Sequence, residues 1–180
     1  APSLKIPISV DTMHAGTAEE AIYAGAGMIN DVSGLGDPMM AEVVASACVP
    51  IVLMHMHGTP STMRDDTMTG NVIEQISEFF GDVCAKAAQA GIRKEMIILD
   101  PGIGFGKTFQ QNVEIIGGLG RLREEHPLLI GTSMKSFLEF AYPGRTRTDA
   151  SILSALECVR NGADIVRVHD VAGTVRALRK

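Results

Sequence analysis

Asp11, Asn30 and Asp100 each close an apolar, β-prone run: Ile6 to Val10, Met28-Ile29 and Met96 to Leu99. Short planar carboxylates and amides placed this way can pair with a heterocycle that presents adjacent N–H donors and acceptors. Two carboxylates can equally hold a divalent metal. Singly, Asp11 or Asn30 reads as a loop cap. All three, together with Lys135, make a polar set that a core does not tolerate without a ligand. Arg167 and His169 stand two apart at the end of the run Ile165 to Val168, so both point to one face of a strand, with Val166 and Val168 opposite. Such a pair suits an anion, because barrels commonly bind phosphate in the loops near their last strands. His55 and His57 read as satisfied structural histidines, and Met54, Met56 and Met63 as packing residues of the core or its mouth.

The segment Met96 to Lys107, M-I-I-L-D-P-G-I-G-F-G-K, joins a buried strand to a loop. Pro101 cannot donate to a sheet ladder, and Gly102, Gly104 and Gly106 free the backbone for positive φ. The pattern is no nucleotide loop. A phosphate loop ending in Gly106-Lys107-Thr108 needs glycine at position 101, where Pro101 stands, and the third glycine of a dinucleotide turn would fall on Lys107.

These residues require elements to position them, and the chain supplies a repeating pattern. Apolar runs at 6–10, 28–29, 50–56, 96–99, 128–131 and 165–168 alternate with helical patterns near 17–24, 39–47, 71–90, 110–125, 150–160 and from 173. A capping box of Thr17 and Glu20 opens the first helix. A-G-A-G-M-I-N-D (24–31) and N-G-A-D-I-V-R-V (161–168) form a faint internal repeat, a small-residue turn followed by a strand that ends polar. Alternating strands and helices predict a parallel sheet in one domain. An open doubly wound sheet would concentrate function at one switch point. Here every run ends polar, at Asp11, Asn30, His55, Asp100, Ser133 to Lys135, and Arg167-His169, which favours a (β/α)8 barrel with all strand ends around one mouth. A complete barrel takes about 250 residues. The chain is therefore expected to carry about six βα units and to lack the first two strands, since it opens almost directly on a strand.

Composition narrows the class further. The 180 residues are 46% hydrophobic and 4% aromatic, with no Trp, which is an aliphatic-cored globular profile. A net charge of −5 argues against a general nucleic-acid binder. Cys48, Cys84 and Cys158 are scattered without C-x-x-C spacing, so neither structural zinc nor a disulfide framework is expected, and a reducing cytoplasmic setting is the default. No apolar run is long enough to span a membrane, and no leader segment is evident.

V-D-T (10–12), I-N-D-V (29–32), L-M-H-M-x-G-x-P-x-T-M (53–63), L-D-P-G-x-G-F-G-K (99–107), S-x-K-S (133–136) and R-V-H-D (167–170) occur in this order. Together they closely resemble the dihydropteroate synthase family of pterin-binding barrels, over essentially the whole chain. L-D-P-G-x-G-F-G-K and R-V-H-D carry most of the specificity. The resemblance implies a single pterin-binding barrel domain over 1–180, incomplete at its N-terminus. It implies a transferase of folate biosynthesis that condenses 6-hydroxymethyl-7,8-dihydropterin diphosphate with p-aminobenzoate, giving 7,8-dihydropteroate and diphosphate. Asp11, Asn30, Met54, Asp100, Lys135 and Arg167 would take the pterin, and Phe105, Lys135 and Ser136 the aminobenzoate, where sulfonamides compete. Arg167 and His169 would hold the diphosphate, and the catalytic set would be Asp100, Lys135, Arg167 and His169. Lys107 has no role in this scheme.

The family also implies Mg2+, whose expected asparagine ligand lies in the absent N-terminal part, leaving no metal ligand in this chain. A cytoplasmic homodimer is implied as well. Met134 stands where the family usually has arginine. Two alternatives share the strand ends. One is the methyltetrahydrofolate-carrying barrel of corrinoid methyltransferases, against which R-V-H-D and G-F-G-K argue. The other is a non-catalytic pterin-binding module.

Overall fold

The computed structural model describes residues 4–63, 65–123 and 125–179. They form two compact lobes, Ala1–His55 with Ser77–Asp100, and Met56–Ile76 with Pro101–Lys180. Arg64, in the loop after the third strand, and Glu124, in the helix expected over 110–125, lie outside the described residues.

The first lobe holds β1 (Ser9–Asp11), α1 (Ala15–Tyr23), β2 (Met28–Asp31), α2 (Met40–Ala47), β3 (Ile51–Met54) and β4 (Ile97–Asp100), the last preceded by a 3₁₀ turn at Lys94–Met96. The four strands are parallel and lie in sequence order. Each crossover therefore returns the chain beside the strand it has just left. β3 and β4 are buried throughout, which is why they read as continuous apolar runs.

The repeat seen in the sequence is one device for stopping a helix. After α1, Gly25 takes φ 97°, Gly25 N–H donates to the Ile22 carbonyl and Ala26 N–H to that of Ala21. The same pair of bonds forms at Gly162, from Gly162 to Val159 and from Ala163 to Cys158. A left-handed residue here satisfies the last carbonyls of the helix, and glycine adopts that conformation at no steric cost.

The start of α1 differs from expectation. The helix begins at Ala15, so Thr17 lies inside its first turn, and His14 at the N-cap makes no side-chain bond. Asp37, far along the chain, supplies the cap instead. Its Oδ2 accepts from Ala15 N–H at 2.8 Å and its Oδ1 from Met39 N–H at 3.0 Å. The bond from Ala15, then that from Met39, holds the Asp37 carboxyl below its ordinary value of 3.8. A depressed carboxyl stabilises the fold above its unfolded pKa, and the contribution is lost as pH falls through the folded value. Asp37→Ala is thus expected to lower the urea midpoint at pH 7, with a penalty that shrinks on acidification below the ordinary carboxyl range. A penalty that stayed constant with pH would assign the effect to packing.

The second lobe holds α4 (Phe109–Gly117), α5 (Leu119–Leu122), β5 (Leu129–Ile130), α6 (Phe137–Ala141), α7 (Arg147–Arg160), β6 (Ile165–Val166) and α8 (Val171–Leu178); α3 (Val72–Gln89) begins in this lobe and ends in the first. β5 and β6 pair in parallel. The single helix expected over 110–125 breaks at Gly118, where a Cβ would come within 2.8 Å of Ile73 Cδ1. β6 stops at Val166 instead of running to 168.

Candidate functional site

Register and pleat sort the polar strand ends of the first lobe. Asp11 pairs with Asn30, Asn30 with Val52, Val52 with Ile98, and Met54 with Asp100. Side chains alternate along a strand, so Asp11, Asn30, Met54 and Asp100 all project from one face, near the C-terminal ends of four adjacent strands. Asp31 projects from the opposite face. Its Oδ1 accepts from Ser33 N–H at 2.8 Å and from the Ser33 hydroxyl at 2.6 Å, and its Oδ2 from Leu35 N–H at 2.7 Å. Asp31 is therefore a loop cap, and Asn30 is not. Asn30 is 2% exposed, and neither its Nδ2 nor its Oδ1 has a hydrogen-bond partner among the described residues. Buried polar groups are nearly always paired, so an amide with both atoms unmatched points to a missing ligand. Met54 and Asp100 are buried, whereas Asp11, ending an edge strand, is exposed. His55 packs edge-on against Phe79, centroids 5.0 Å apart.

In the second lobe the glycine-rich loop is clamped from several sides. Gly104 N–H donates to Asn112 Oδ1 at 2.6 Å, and Asn112 Nδ2 donates to the Thr108 carbonyl at 2.8 Å. Gly106 takes φ 68°, and a Cβ on it would come within 2.3 Å of the His57 carbonyl oxygen. Thr108 and Gln111 form a reciprocal capping box at the start of α4. The sequence signal T-x-x-Q was legible in principle; the buried clip Asn112 had no such signal. Lys135 Nζ lies 4.6 Å from the Phe105 ring centroid and donates to the Ile103 carbonyl. Phe105, Lys135 and Ser136 line one cavity of about 540 Å3, joined there by Lys107, Phe109 and Asn112. The three residues expected to border the aminobenzoate are thus brought together. Met134 adopts φ 63° with an exposed side chain, and its N–H donates to Ser151 Oγ at 2.9 Å.

Arg167 and His169 lie beyond the end of β6, and both are exposed. This corrects the expectation of a strand carrying the pair. β6 is an edge of a two-stranded sheet, and only Arg167 N–H continues the ladder, to the Ile130 carbonyl at 2.9 Å. The imidazole is nonetheless oriented. Ser133 Oγ accepts from His169 N–H at 3.2 Å and lies 2.9 Å from His169 Nδ1. In the tautomer whose Nδ1 accepts from this hydroxyl, the ring proton sits on Nε2, away from Ser133. Asp170, the last residue of R-V-H-D, caps α8 by accepting from Gly173 N–H at 2.8 Å.

Comparison with known proteins places these features in context. Residues 1–169 match the family model described as "Pterin binding enzyme". The dihydropteroate synthase of Synechocystis sp. is 42% identical over 174 residues, covering 93% of this chain and 60% of that protein. Among solved structures, dihydropteroate synthase from Stenotrophomonas maltophilia matches with a TM-score of 0.94 and 38% identity, covering 99% of this chain and 69% of that one. The Xanthomonas albilineans enzyme in complex with 7,8-dihydropteroate matches with a TM-score of 0.90 and 37% identity, covering 99% and 66%. The chain spans about 60% of the length of the Synechocystis relative. With this likeness the expected fold class, a (β/α)8 barrel present in part, stands.

Proposed function

This chain belongs to the family of pterin binding enzymes, and from that premise we propose that it carries the pterin-binding part of a dihydropteroate synthase. The observation that carries the reading is the buried, unmatched amide of Asn30, on one sheet face with Asp11 and Asp100. A flat heterocycle with alternating N–H donors and acceptors supplies what that amide lacks. Asp11, Asn30 and Asp100 hydrogen-bond the pterin edge, with Asp100 a lasting partner and not a general base, and Met54 lies under the ring. Phe105, Lys135 and Ser136 take p-aminobenzoate, and Arg167 and His169 take the diphosphate. The further pterin roles of Lys135 and Arg167 rest on the family resemblance alone.

The condensation is a substitution at the pterin's exocyclic methylene carbon. The C–O bond to diphosphate breaks with its electron pair leaving on oxygen, the arylamine nitrogen forms the new C–N bond, and that nitrogen then loses a proton. Arg167 and the Nε2–H of His169 stabilise the departing charge, an electrostatic effect in the manner of an oxyanion hole. Among the described residues, no three His, Cys, Asp or Glu side chains converge on a cation position. Magnesium is usually held by one or two carboxylates together with substrate phosphates and water, so Mg2+ stays in the proposal as a counterion of the diphosphate, with no ligand assigned in this chain. The same reading includes sulfonamide competition at the aminobenzoate cavity, a homodimer and a cytoplasmic location. Among the described residues, no helix is long and apolar enough to cross a membrane.

Calorimetry with 6-hydroxymethyl-7,8-dihydropterin diphosphate and p-aminobenzoate tests the proposal. Aminobenzoate should bind only when pterin diphosphate or inorganic pyrophosphate is present. Tight pterin binding that ignores the diphosphate would instead identify a carrier module. Ser133→Ala removes the hydroxyl that orients His169, a net loss of about 0.5–1.5 kcal/mol. It should weaken pyrophosphate binding roughly 3- to 10-fold, with little change in pterin affinity.

A further inference from the structure

Lys107 ends the glycine-rich segment, and the substrate assignments leave it without a role. It is 6% exposed, an unusual degree of burial for lysine, and lines the same cavity as Phe105, Lys135 and Ser136. Its Nζ donates to the Phe105 carbonyl at 3.0 Å, so the ammonium is held in place by the residue whose ring faces Lys135. Among the described residues that line this cavity, the charged side chains are those of Lys107 and Lys135, although the chain as a whole carries −5.

We propose that Lys107 is a specificity-determining residue, the cation that makes this cavity select an arylamine bearing a carboxylate over a neutral analogue. The inference rests on the aminobenzoate reading of the cavity and deepens it. Charges interact far more strongly in a confined, poorly solvated space than in water, so a buried ammonium discriminates an acid from an amide of the same shape.

The test compares p-aminobenzoate with p-aminobenzamide, each titrated in the presence of pyrophosphate into the wild-type chain, Lys107→Met and Lys107→Arg. Wild type should prefer the acid by about tenfold or more, with a preference that falls as salt is raised. Lys107→Met should lose about tenfold in affinity for the acid while the amide changes less than about twofold, and Lys107→Arg should restore most of the preference. Equal weakening of acid and amide in Lys107→Met would reduce Lys107 to a tether for Phe105 and overturn the proposal. Unchanged selectivity would overturn it as well. If Lys107→Met fails to fold, Lys107→Arg and the salt dependence of wild type decide the matter. Binding of neither compound to wild type would instead refute the aminobenzoate reading, and the inference with it.

Discussion

Asn30→Leu is expected to leave the protein at least as stable as wild type and to remove pterin binding. Asn30 is 2% exposed, with neither polar atom of its amide matched among the described residues. A buried polar group without a partner costs about 1–3 kcal/mol, and an apolar side chain of similar shape avoids that cost. Urea unfolding should therefore show an equal or higher midpoint in the variant. Binding moves the other way. The ligand loses its partners at both amide atoms and must leave its own donors and acceptors unpaired against leucine, at about 1–3 kcal/mol for each group. Pterin affinity should fall by at least about a hundredfold. The contrast between stability and binding is the informative part, because sites built for ligands often sacrifice stability. A destabilised variant that still bound pterin would show that Asn30 serves the fold.

Gly106→Ala is expected to be more damaging than Gly104→Ala, where a Cβ would meet only the flexible Lys135 side chain at 3.1 Å. At φ 68° a non-glycine residue is strained, by about 1–2 kcal/mol. The added Cβ would also sit 2.3 Å from the His57 carbonyl oxygen and 2.9 Å from its carbonyl carbon. Those atoms are backbone and cannot swing aside as a flexible side chain would. The loop must move, carrying with it Phe105 and Lys107 on either side and the bond from Met68 N–H to the Gly106 carbonyl. Aminobenzoate binding should be lost together with stability. Gly117→Ala is the control, since a Cβ there meets nothing within 4 Å. That substitution, on an exposed helix turn, should stabilise by about 0.5–1 kcal/mol. Urea midpoints and aminobenzoate titrations of the two variants give the comparison, and similar behaviour of both would contradict the steric argument.

The order of strands and helices was legible in the sequence because each element announces itself through its own neighbours. Buried parallel strands read as apolar runs, β3 and β4 above all, and the turns at Gly25 and Gly162 repeat because one left-handed residue ends a helix in the same way each time. Asp11, Asn30 and Asp100 were legible for the same reason, as polar residues where an apolar run stops. Likewise, L-D-P-G-x-G-F-G-K and R-V-H-D sufficed to suggest the family. What required the tertiary structure was the partner of each group. Asn30 and Asp31 are adjacent and similar, yet pleat and register send one to an unmatched burial and the other to a loop cap. The cap of α1 comes from Asp37, whose contact with Ala15 spans 22 positions and leaves no local pattern. The break at Gly118 falls where the backbone passes close to Ile73, and β6 spans two residues at a sheet edge. Lys107 reads as one more surface lysine until packing buries it beside Phe105. Periodicity and capping are encoded within a few residues, whereas which donor meets which acceptor depends on packing between segments far apart in the chain.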